Sequence, residues 1–227
     1  MNEALRRSAA HVFVESLAAP ALDPLDIHHL LRVLRVGSRD VVTVSDGRGA
    51  WTTAVLEPDG VVRLTGAPEH VEQPDPVGVA TALVKGDRAE LVVQKLTELG
   101  VDRIWFFTSS RSVVRWDDER GARHLARLRR IAREAAMQSR SVWAPEVDLV
   151  GWDRLMAESG AALAEPGAPG RVDAAVRLVV VGPEGGFTPD ELACGLPGVT
   201  LSDQVLRVET ASIAAGVLLT AARRRPG

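Results

Sequence analysis

The sequence has a single cysteine, no long apolar run and no excess of positive charge. Among its 227 residues, Cys194 is the only cysteine, so no disulfide can form within the chain and a reducing cytoplasm is the expected compartment. No apolar stretch approaches the roughly 20 residues that span a bilayer, and the charged amino terminus lacks the apolar core of a secretory signal. We therefore expect a cytoplasmic protein without a membrane partner. Because the net charge is −3, any nucleic-acid binding must depend on local basic surface.

Several common ligand sites are also missing from the sequence. No glycine loop carries the lysine and Ser/Thr of a P-loop or the GxGxxG of a dinucleotide site, which argues against a nucleotide-binding protein of either kind. His28 and His29 are adjacent, but no partner ligands follow at metal-binding spacing, so we predict no metal site. Cys194 is expected to be a packing residue rather than a catalytic thiol.

The chain has two regions with different patterns. Short β-type runs separated by turn sequences fill residues 39–66, after a short helix over 26–36, and predict a small barrel of antiparallel strands. Residues 69–76, with two prolines and several charges, are the natural linker. From residue 77 onward strands and helices alternate, which predicts a mainly parallel sheet covered by helices. We place the domains at residues 1–72 and 73–227.

The second region yields specific element predictions. Strands are expected over 77–84, 103–108, 178–181, 199–201 and 205–208, helices over 87–99, 117–139 and 211–223, and a plain loop over 164–170. The last helix begins with small side chains and is apolar on nearly all sides, which is typical of a buried helix. Internal packing and a homodimer interface both fit this pattern, and we favour the interface.

A glycine-proline loop follows the predicted strand over 178–181. Thr188, Pro189 and Glu191 have the spacing of a helix start with a capping box. Three glycines precede them and would permit positive φ and close approach of a ligand to the main chain; they are Gly182, Gly185 and Gly186. Alone, this loop fits a simple strand-to-helix turn equally well. A second unusual segment, 201–215, suggests one ligand held between two loops, beyond the carboxyl ends of the strands.

The two loops, VGPEGGFTPDE and LSDQVLRVETA, resemble the signature loops of the ribosomal RNA small-subunit methyltransferase E family. That family belongs to the SPOUT, or trefoil-knot, methyltransferases. Further segments resemble the family's motifs in the same order: HLLRVLRVG from His29, KGDRAELVVQKLTELGV from Lys85, and AAMQSR before Pro145. The resemblance thus covers nearly the whole chain.

The resemblance implies a fold, a cofactor and a reaction. The fold would be a small PUA-like β-barrel followed by an α/β SPOUT domain with a mainly parallel sheet and a trefoil knot, one of the rare exceptions to unknotted folds. The enzyme would act as a homodimer. It would use S-adenosylmethionine to methylate ring nitrogen 3 of one uridine in the 16S ribosomal RNA of the small ribosomal subunit. The implied cofactor-binding residues are Val181, Gly182, Pro183, Glu184, Gly185, Gly186, Leu201, Ser202, Val205, Leu206, Arg207, Glu209, Thr210 and Ala211.

Methylation at a uracil imide nitrogen requires loss of its proton and alignment of the nitrogen with the methyl group. Candidate catalytic residues are two carboxylates, Glu184 and Glu209, and two cations, Arg111 and Arg207. Both glutamates lie near predicted helix starts, where carboxylates are favoured in any protein. A purely structural role for each of them therefore stays open.

Local basic residues could contact RNA despite the acidic total. We expect phosphate contacts and an extruded uridine. The candidate RNA-binding residues are Arg6, Arg7, His29, Arg32, Arg35, Arg111 and Arg140, together with Arg115. The arginines of the long helix over 117–139 are equally consistent with a solvated face.

Four positions depart from the family's usual pattern. Ser202 stands where glycine is usual, Gln204 and Ser141 where arginine is common, and Val208 where threonine is usual. A positive φ at Ser202 would cost about 1 kcal/mol. These departures leave an alternative open, a catalytically weakened knot protein that binds ribosomal RNA or ribosomal subunits without methyl transfer.

Overall fold

The computed structural model describes residues 2–112, 114, 116 and 118–223. By its contacts the chain divides into two compact units: Met1–Gln73 with Arg133–Ala144, and Pro74–Ala132 with Pro145–Gly227. The chain therefore passes between the units at three places, and the end of the long helix groups with the first unit. No helix within the described residues is long and apolar enough to cross a membrane.

The first unit is built on a mixed five-stranded sheet. Its elements are α1 (Glu3–Arg7), β1 (His11–Phe13), α2 (Pro24–His28), a π-helical turn (His29–Val33), β2 (Val41–Ser45), β3 (Ala50–Leu56), β4 (Val62–Leu64) and β5 (Glu69–His70). The strand order is β1-β2-β3-β4, and β5 pairs with β3. The predicted antiparallel meander is present as β2-β3-β4.

Three features of the first unit differ from the sequence predictions. Strand β1 was not predicted and pairs in parallel with β2, and no ladder among the described strands joins β1 to β4. The predicted helix over 26–36 begins two residues earlier, because Asp23 caps Pro24–His28 by accepting the Leu25 N–H. It gives way to the π-helical turn at His29. The first two residues of the predicted linker form β5 instead.

The second unit contains a six-stranded sheet in which every pairing is parallel. Its elements are β6 (Gly78–Ala82), α3 (Arg88–Glu98), β7 (Arg103–Phe107), α4 (Asp118–Gln138), β8 (Glu146–Leu149), α5 (Trp152–Ala157), β9 (Ala161–Ala164), β10 (Leu178–Val181), α6 (Pro189–Leu192), β11 (Gly198–Val199) and α7 (Val208–Ala222). The strand order is β11-β9-β10-β6-β7-β8. The predicted parallel sheet is thus confirmed.

Alternate residues of the strands pack on opposite faces of this sheet. Val79 and Val179 belong to a core that includes residues of α3, α4 and α7. Ala80 and Val180 belong to a second core with Leu155 of α5. Because both faces are covered, the central strands are continuous apolar runs, as parallel strands usually are.

The sequence prediction was wrong at several elements of the second unit. Residues 205–208 are not a strand: Val205 is 84% exposed, and Val208 is already the first residue of α7. The predicted strand over 199–201 is Gly198–Val199. Strands β8 and β9 were missed; β9 reads Ala-Ala-Leu-Ala and so lacks the β-branched residues that mark strands. Asp117, the predicted start of the long helix, lies outside the described residues.

The small side chains of α7 pack inside the unit. A Cβ added at Gly216 would lie 2.5 Å from the Leu96 side chain of α3, so only glycine permits this approach of the two helices. Ser212 is fully buried and shares a 2.9 Å hydrogen bond with Thr81 of β6. Internal packing therefore accounts for Ser212 and Gly216, and the dimer interface that the sequence favours stays a prediction.

A buried histidine of the first unit has a partner at each of its ring nitrogens. The Nε2 atom of His11 lies 2.9 Å from the Ser141 carbonyl oxygen and its Nδ1 atom 2.9 Å from the Thr43 hydroxyl. Burial lowers the pKa of His11 to about 4; the Ser141 hydrogen bond opposes this shift and the charge of Arg140 adds to it. The neutral imidazole is therefore the form that the fold accommodates.

We expect the free energy of unfolding to be steady above pH 6.5 and to fall by roughly 3 kcal/mol between pH 6.5 and pH 4 through His11, because the unfolded chain binds the proton first. Urea unfolding across this range measures the fall. The His11→Asn variant is the control, since it should lack this part of the pH dependence. Equal slopes in the two proteins would contradict the assignment.

Candidate functional site

A cavity of about 410 Å³ lies beyond the carboxyl ends of β9, β10 and β11. Two loops form most of its wall: the glycine loop, residues 182–187, which follows β10 and ends before the α6 cap Thr188, and the second loop, residues 200–207, which leads into α7. Val208 and Ala211 of α7 add to the wall. This is the position at which ligands bind in parallel α/β sheets.

Most of the residues predicted to bind a cofactor line this cavity. Eleven of the fourteen do so, and the exceptions are Gly185, Glu209 and Thr210. Seven lining residues are outside that set of fourteen, although Gln204 and Val208 lie within the second predicted loop: Ala164, Glu165, Pro166, Phe187, Thr200, Gln204 and Val208. The segment 164–166 was missed because it follows β9, the strand without a recognisable sequence pattern.

The glycine loop is shaped by a turn and a helix cap. The Gly186 N–H donates to the Pro183 carbonyl oxygen at 2.9 Å, and Gly186 has a φ of 68°. Thr188 and Glu191 form the predicted capping box at the start of α6, with Pro189 in the first turn. The strand-to-helix junction was therefore predicted correctly from the sequence.

Gly182 and Gly185 lack the positive φ that we expected of all three glycines. A Cβ at Gly182 would lie 3.1 Å from the Phe187 ring, which is buried. A Cβ at Gly185 would lie 3.6 Å from Cδ of Arg111. Gly182 therefore makes room for a core aromatic ring, and Gly185 lies against the Arg111 side chain rather than in the cavity wall.

Local hydrogen bonds stabilise the second loop at Ser202. The Ser202 hydroxyl accepts the Gln204 N–H at 3.1 Å, and its carbonyl oxygen accepts the Thr200 hydroxyl at 3.2 Å. Ser202 has no positive φ, so serine carries no backbone penalty here. The departure from glycine is accommodated by a turn that serine itself supports.

One arginine lies between the two candidate carboxylates. Arg88, the first residue of α3, donates to Glu184 at 3.1 Å, and its Nη1 atom lies 3.9 Å from Oε2 of Glu209. The Glu209 side chain is 13% exposed, and its buried Oε2 has no hydrogen-bond partner among the described residues. Arg88 was not among the predicted site residues, although the KGDRAE segment contains it. Glu184 lines the cavity and Glu209 does not.

The two candidate cations differ in what they contact. Arg207 is exposed, precedes α7 and lines the cavity. Arg111 donates from Nη1 to the carbonyl oxygens of Gly185 at 2.8 Å and Phe187 at 3.1 Å. Arg111 is therefore bound to the glycine loop, whereas Arg207 is an exposed residue of the cavity lining.

The predicted RNA-binding residues of the first unit are mostly exposed. Arg6, Arg7, His29, Arg32 and Arg35 all lie at the surface. Arg7 pairs with Glu3, and Arg35 has a left-handed φ of 54°.

Arg140 is half-buried and donates to the Ser8 hydroxyl at 2.6 Å, so it has a structural contact inside the first unit. Arg115 lies outside the described residues. Four arginines of the long helix are paired with carboxylates among the described residues: Arg123 with Glu119, Arg127 with Glu90, Arg129 with Asp148 and Arg133 with Asp26.

No group of three or more His, Cys, Asp or Glu side chains in the described part of the chain could hold a metal ion. Cys194 is a free, half-buried cysteine that packs against the second core.

Comparisons with known proteins support the family resemblance of the sequence motifs. The family model of the RNA methyltransferase domain matches residues 71–220 of this chain. The chain is 34% identical to ribosomal RNA small subunit methyltransferase E of Mycobacterium tuberculosis, over 87% of this chain and 84% of the relative. It is 31% identical to the protein of that name from Bacillus subtilis, over 83% of this chain and 84% of the relative.

A solved structure extends the agreement to three dimensions. It is ribosomal RNA small subunit methyltransferase E from Neisseria gonorrhoeae, bound to S-adenosyl methionine, with a TM-score of 0.78 and 27% identity over 93% of this chain and 97% of that one. The expected SPOUT-type α/β fold and the expected class of enzyme, an RNA methyltransferase, are confirmed. The chain belongs to the ribosomal RNA small subunit methyltransferase E family.

Proposed function

We propose that this protein transfers the methyl group of S-adenosylmethionine to ring nitrogen 3 of a uridine in 16S ribosomal RNA. The observation that carries the proposal is the cavity between the glycine loop and the second loop, in a chain of this family. The Neisseria relative holds this cofactor, and the cavity is the candidate binding site.

The cavity fits a nucleoside-sized cofactor in size and lining. Its volume is within the usual range for small-molecule sites. Apolar side chains such as Val181, Phe187 and Leu206 suit the faces of an adenine ring, while main-chain groups of the two loops suit its polar edge. Apart from its two chain neighbours, no described residue has an atom within 4 Å of the position where a Cβ would stand on Gly186, which leaves the main chain open to a ligand. When bound, S-adenosylmethionine supplies an electrophilic methyl group.

The residues of the chain then have to manage the proton on the uracil nitrogen. Glu184 is the candidate proton acceptor, because Glu184 lines the cavity and Arg88 donates a hydrogen bond that orients the Glu184 carboxylate. Arg207 is the candidate cation for the negative charge that develops on the base. Arg88 and Glu209 act as positioning residues in this scheme.

The partners of the enzyme follow from the same proposal. We assign substrate contact outside the cavity to the exposed basic residues of the first unit and regard the two units as domains. The substrate would be 16S ribosomal RNA alone or within the small ribosomal subunit, in the cytoplasm. A homodimer is part of the proposal, and the half-exposed Val217 of α7 is an apolar candidate for its interface.

We expect the purified protein to bind S-adenosylmethionine and to form N3-methyluridine in 16S ribosomal RNA. Calorimetry measures the first, and mass spectrometry of nucleosides from treated RNA measures the second. Ribosomal RNA from a strain without the gene is the preferred substrate, offered both naked and as assembled subunits. No cofactor binding at millimolar concentration would contradict the enzyme. RNA binding without cofactor binding would instead favour the catalytically weakened alternative.

We expect Arg88→Gln to lower kcat on the order of tenfold or more, because Glu184 loses its orienting partner. The Arg88–Glu184 pair is exposed, so its loss alone should change the free energy of unfolding by less than about 1 kcal/mol. Loss of the cation beside the largely buried Glu209 carboxylate adds to this cost. The matched control is Arg127→Gln, which breaks an ion pair to Glu90 of the same helix α3. Equal kcat values in the two variants would remove Arg88 from the mechanism.

We expect Arg35→Ala to weaken RNA binding and to reduce the slope of log K against log salt by about 1, as the loss of one phosphate contact does. Cofactor affinity should not change. Arg63→Ala is the control for net charge, because Arg63 is also exposed and lies outside the predicted set. If both variants lose RNA affinity equally, Arg35 makes no specific contact.

A further inference from the structure

We propose that Arg111 is a positioning residue that holds the glycine loop in its cofactor-binding shape, and that a buried carboxylate, Glu191, holds the Arg111 segment in place. We call this set of four residues the clamp: Ser109, Ser110, Arg111 and Glu191. The inference rests on the proposed function, since it assumes that the glycine loop binds S-adenosylmethionine. It differs from both roles predicted for Arg111, RNA binding and catalysis.

The topology of the sheet brings the Arg111 segment, residues 109–112, to the same edge as the glycine loop. The segment 109–112 follows β7, and the glycine loop follows β10. Both strands pair in parallel with β6, one on each side of it. The carboxyl ends of parallel strands lie at the same edge of a sheet, so the segments that follow β7 and β10 meet there.

Glu191 ties the two segments to each other. Its Oε1 accepts the Ser109 hydroxyl and the Ser110 N–H, both at 2.9 Å. Its Oε2 accepts the Thr188 N–H at 2.8 Å. Ser109 is 1% and Glu191 9% exposed. The capping carboxylate of α6 thus has a second use, because one of its oxygens binds a segment about 80 residues earlier in the chain.

The Glu191 carboxylate stays charged in this position. Burial acts to raise the pKa of Glu191, but hydrogen bonds from Thr188, Ser110 and Ser109 outweigh burial and hold the pKa below its usual value. A charged acceptor makes stronger hydrogen bonds than a neutral one. The backbone at Ser109 and Ser110 is therefore firmly fixed to the start of α6.

Arg111 then binds the main chain of the glycine loop. Its Nη1 donates to the Gly185 and Phe187 carbonyl oxygens, and its stem lies against Gly185. The neighbours Glu184, Gly186 and Phe187 line the cavity. Removing the guanidinium leaves two carbonyl oxygens without that partner and frees the loop, and the bound state then has to order it again.

We expect substitutions in the clamp to weaken the binding of S-adenosylmethionine but not the binding of RNA. Arg111→Ala should raise the dissociation constant of S-adenosylmethionine about tenfold. Ser109→Ala, which loses the hydroxyl contacts to Glu191 and to the Arg111 N–H, should raise it a few-fold. RNA affinity should stay within twofold of the parent protein in both variants. Arg111→Lys should recover part of the cofactor affinity, because its ammonium can still donate to one carbonyl oxygen.

The matched control is Thr188→Ala, which removes the hydroxyl cap on the Glu191 N–H and leaves the Glu191 side-chain contacts to Ser109 and Ser110 in place. It should lower Tm while the cofactor dissociation constant stays within twofold. A variant that loses stability as Thr188→Ala does, without loss of cofactor affinity, has only a structural defect.

Calorimetry with S-adenosylmethionine, RNA binding and thermal unfolding are measured on the full chain. Unchanged cofactor affinity in Arg111→Ala, with weaker RNA binding, would overturn the clamp in favour of a phosphate contact. Unchanged values of both would overturn it as well. If the parent protein itself binds no S-adenosylmethionine, the proposed function fails, and that result is distinct from a failure of the clamp. Should Arg111→Ala fold poorly, the comparison of Ser109→Ala with Thr188→Ala still decides.

Discussion

The parallel pairing of β10 with β9 and β6 is the constraint on which the rest of the site depends. Leu178–Val181 is buried along its whole length and is hydrogen-bonded on both sides, in register with Ala161–Ala164 and Gly78–Thr81. This fixes the point at which the chain leaves the sheet at Gly182. The glycine loop, the segment 164–166 and the Arg111 segment emerge at the same edge because their strands are parallel members of this sheet. The first two of these segments line the cavity together with the second loop.

The close contact of α3 with α7 controls the charges at this edge. Gly216 lets the two helices approach, and the hydrogen bond from Thr81 to Ser212 fixes α7 against β6. The first turns of both helices are then neighbours, which brings Arg88 beside Glu209. The carboxylates near the cavity are therefore organised by packing that lies some distance from them. The small side chains that suggested a dimer interface in the sequence perform this internal role.

Local chemistry was predictable from the sequence, and long-range pairing was not. The cap at Thr188, the glycine loop and the alternation of strands and helices follow from short patterns, and the structure has all three. The contacts of Arg88 with Glu184 and of Arg111 with the glycine loop join residues that are 74 or more positions apart in the chain. Glu165 follows strand β9, whose Ala-rich sequence carries little β signal. Val205 to Val208 have strand propensity, but the exposed loop and the start of α7 override it.

Two of the three arginines around the glycine loop donate hydrogen bonds to groups of the protein itself. Arg88 binds Glu184, and Arg111 binds carbonyl oxygens of the loop. Arg207 lines the cavity, and no ion pair to it is present in the described part of the chain. A cation that is already paired contributes little new attraction to a substrate, because it must first lose its partner. In the proposed mechanism, Arg207 is therefore the candidate cation for the charge that forms on the base, while Arg111 and Arg88 would keep the loop and its carboxylate in position.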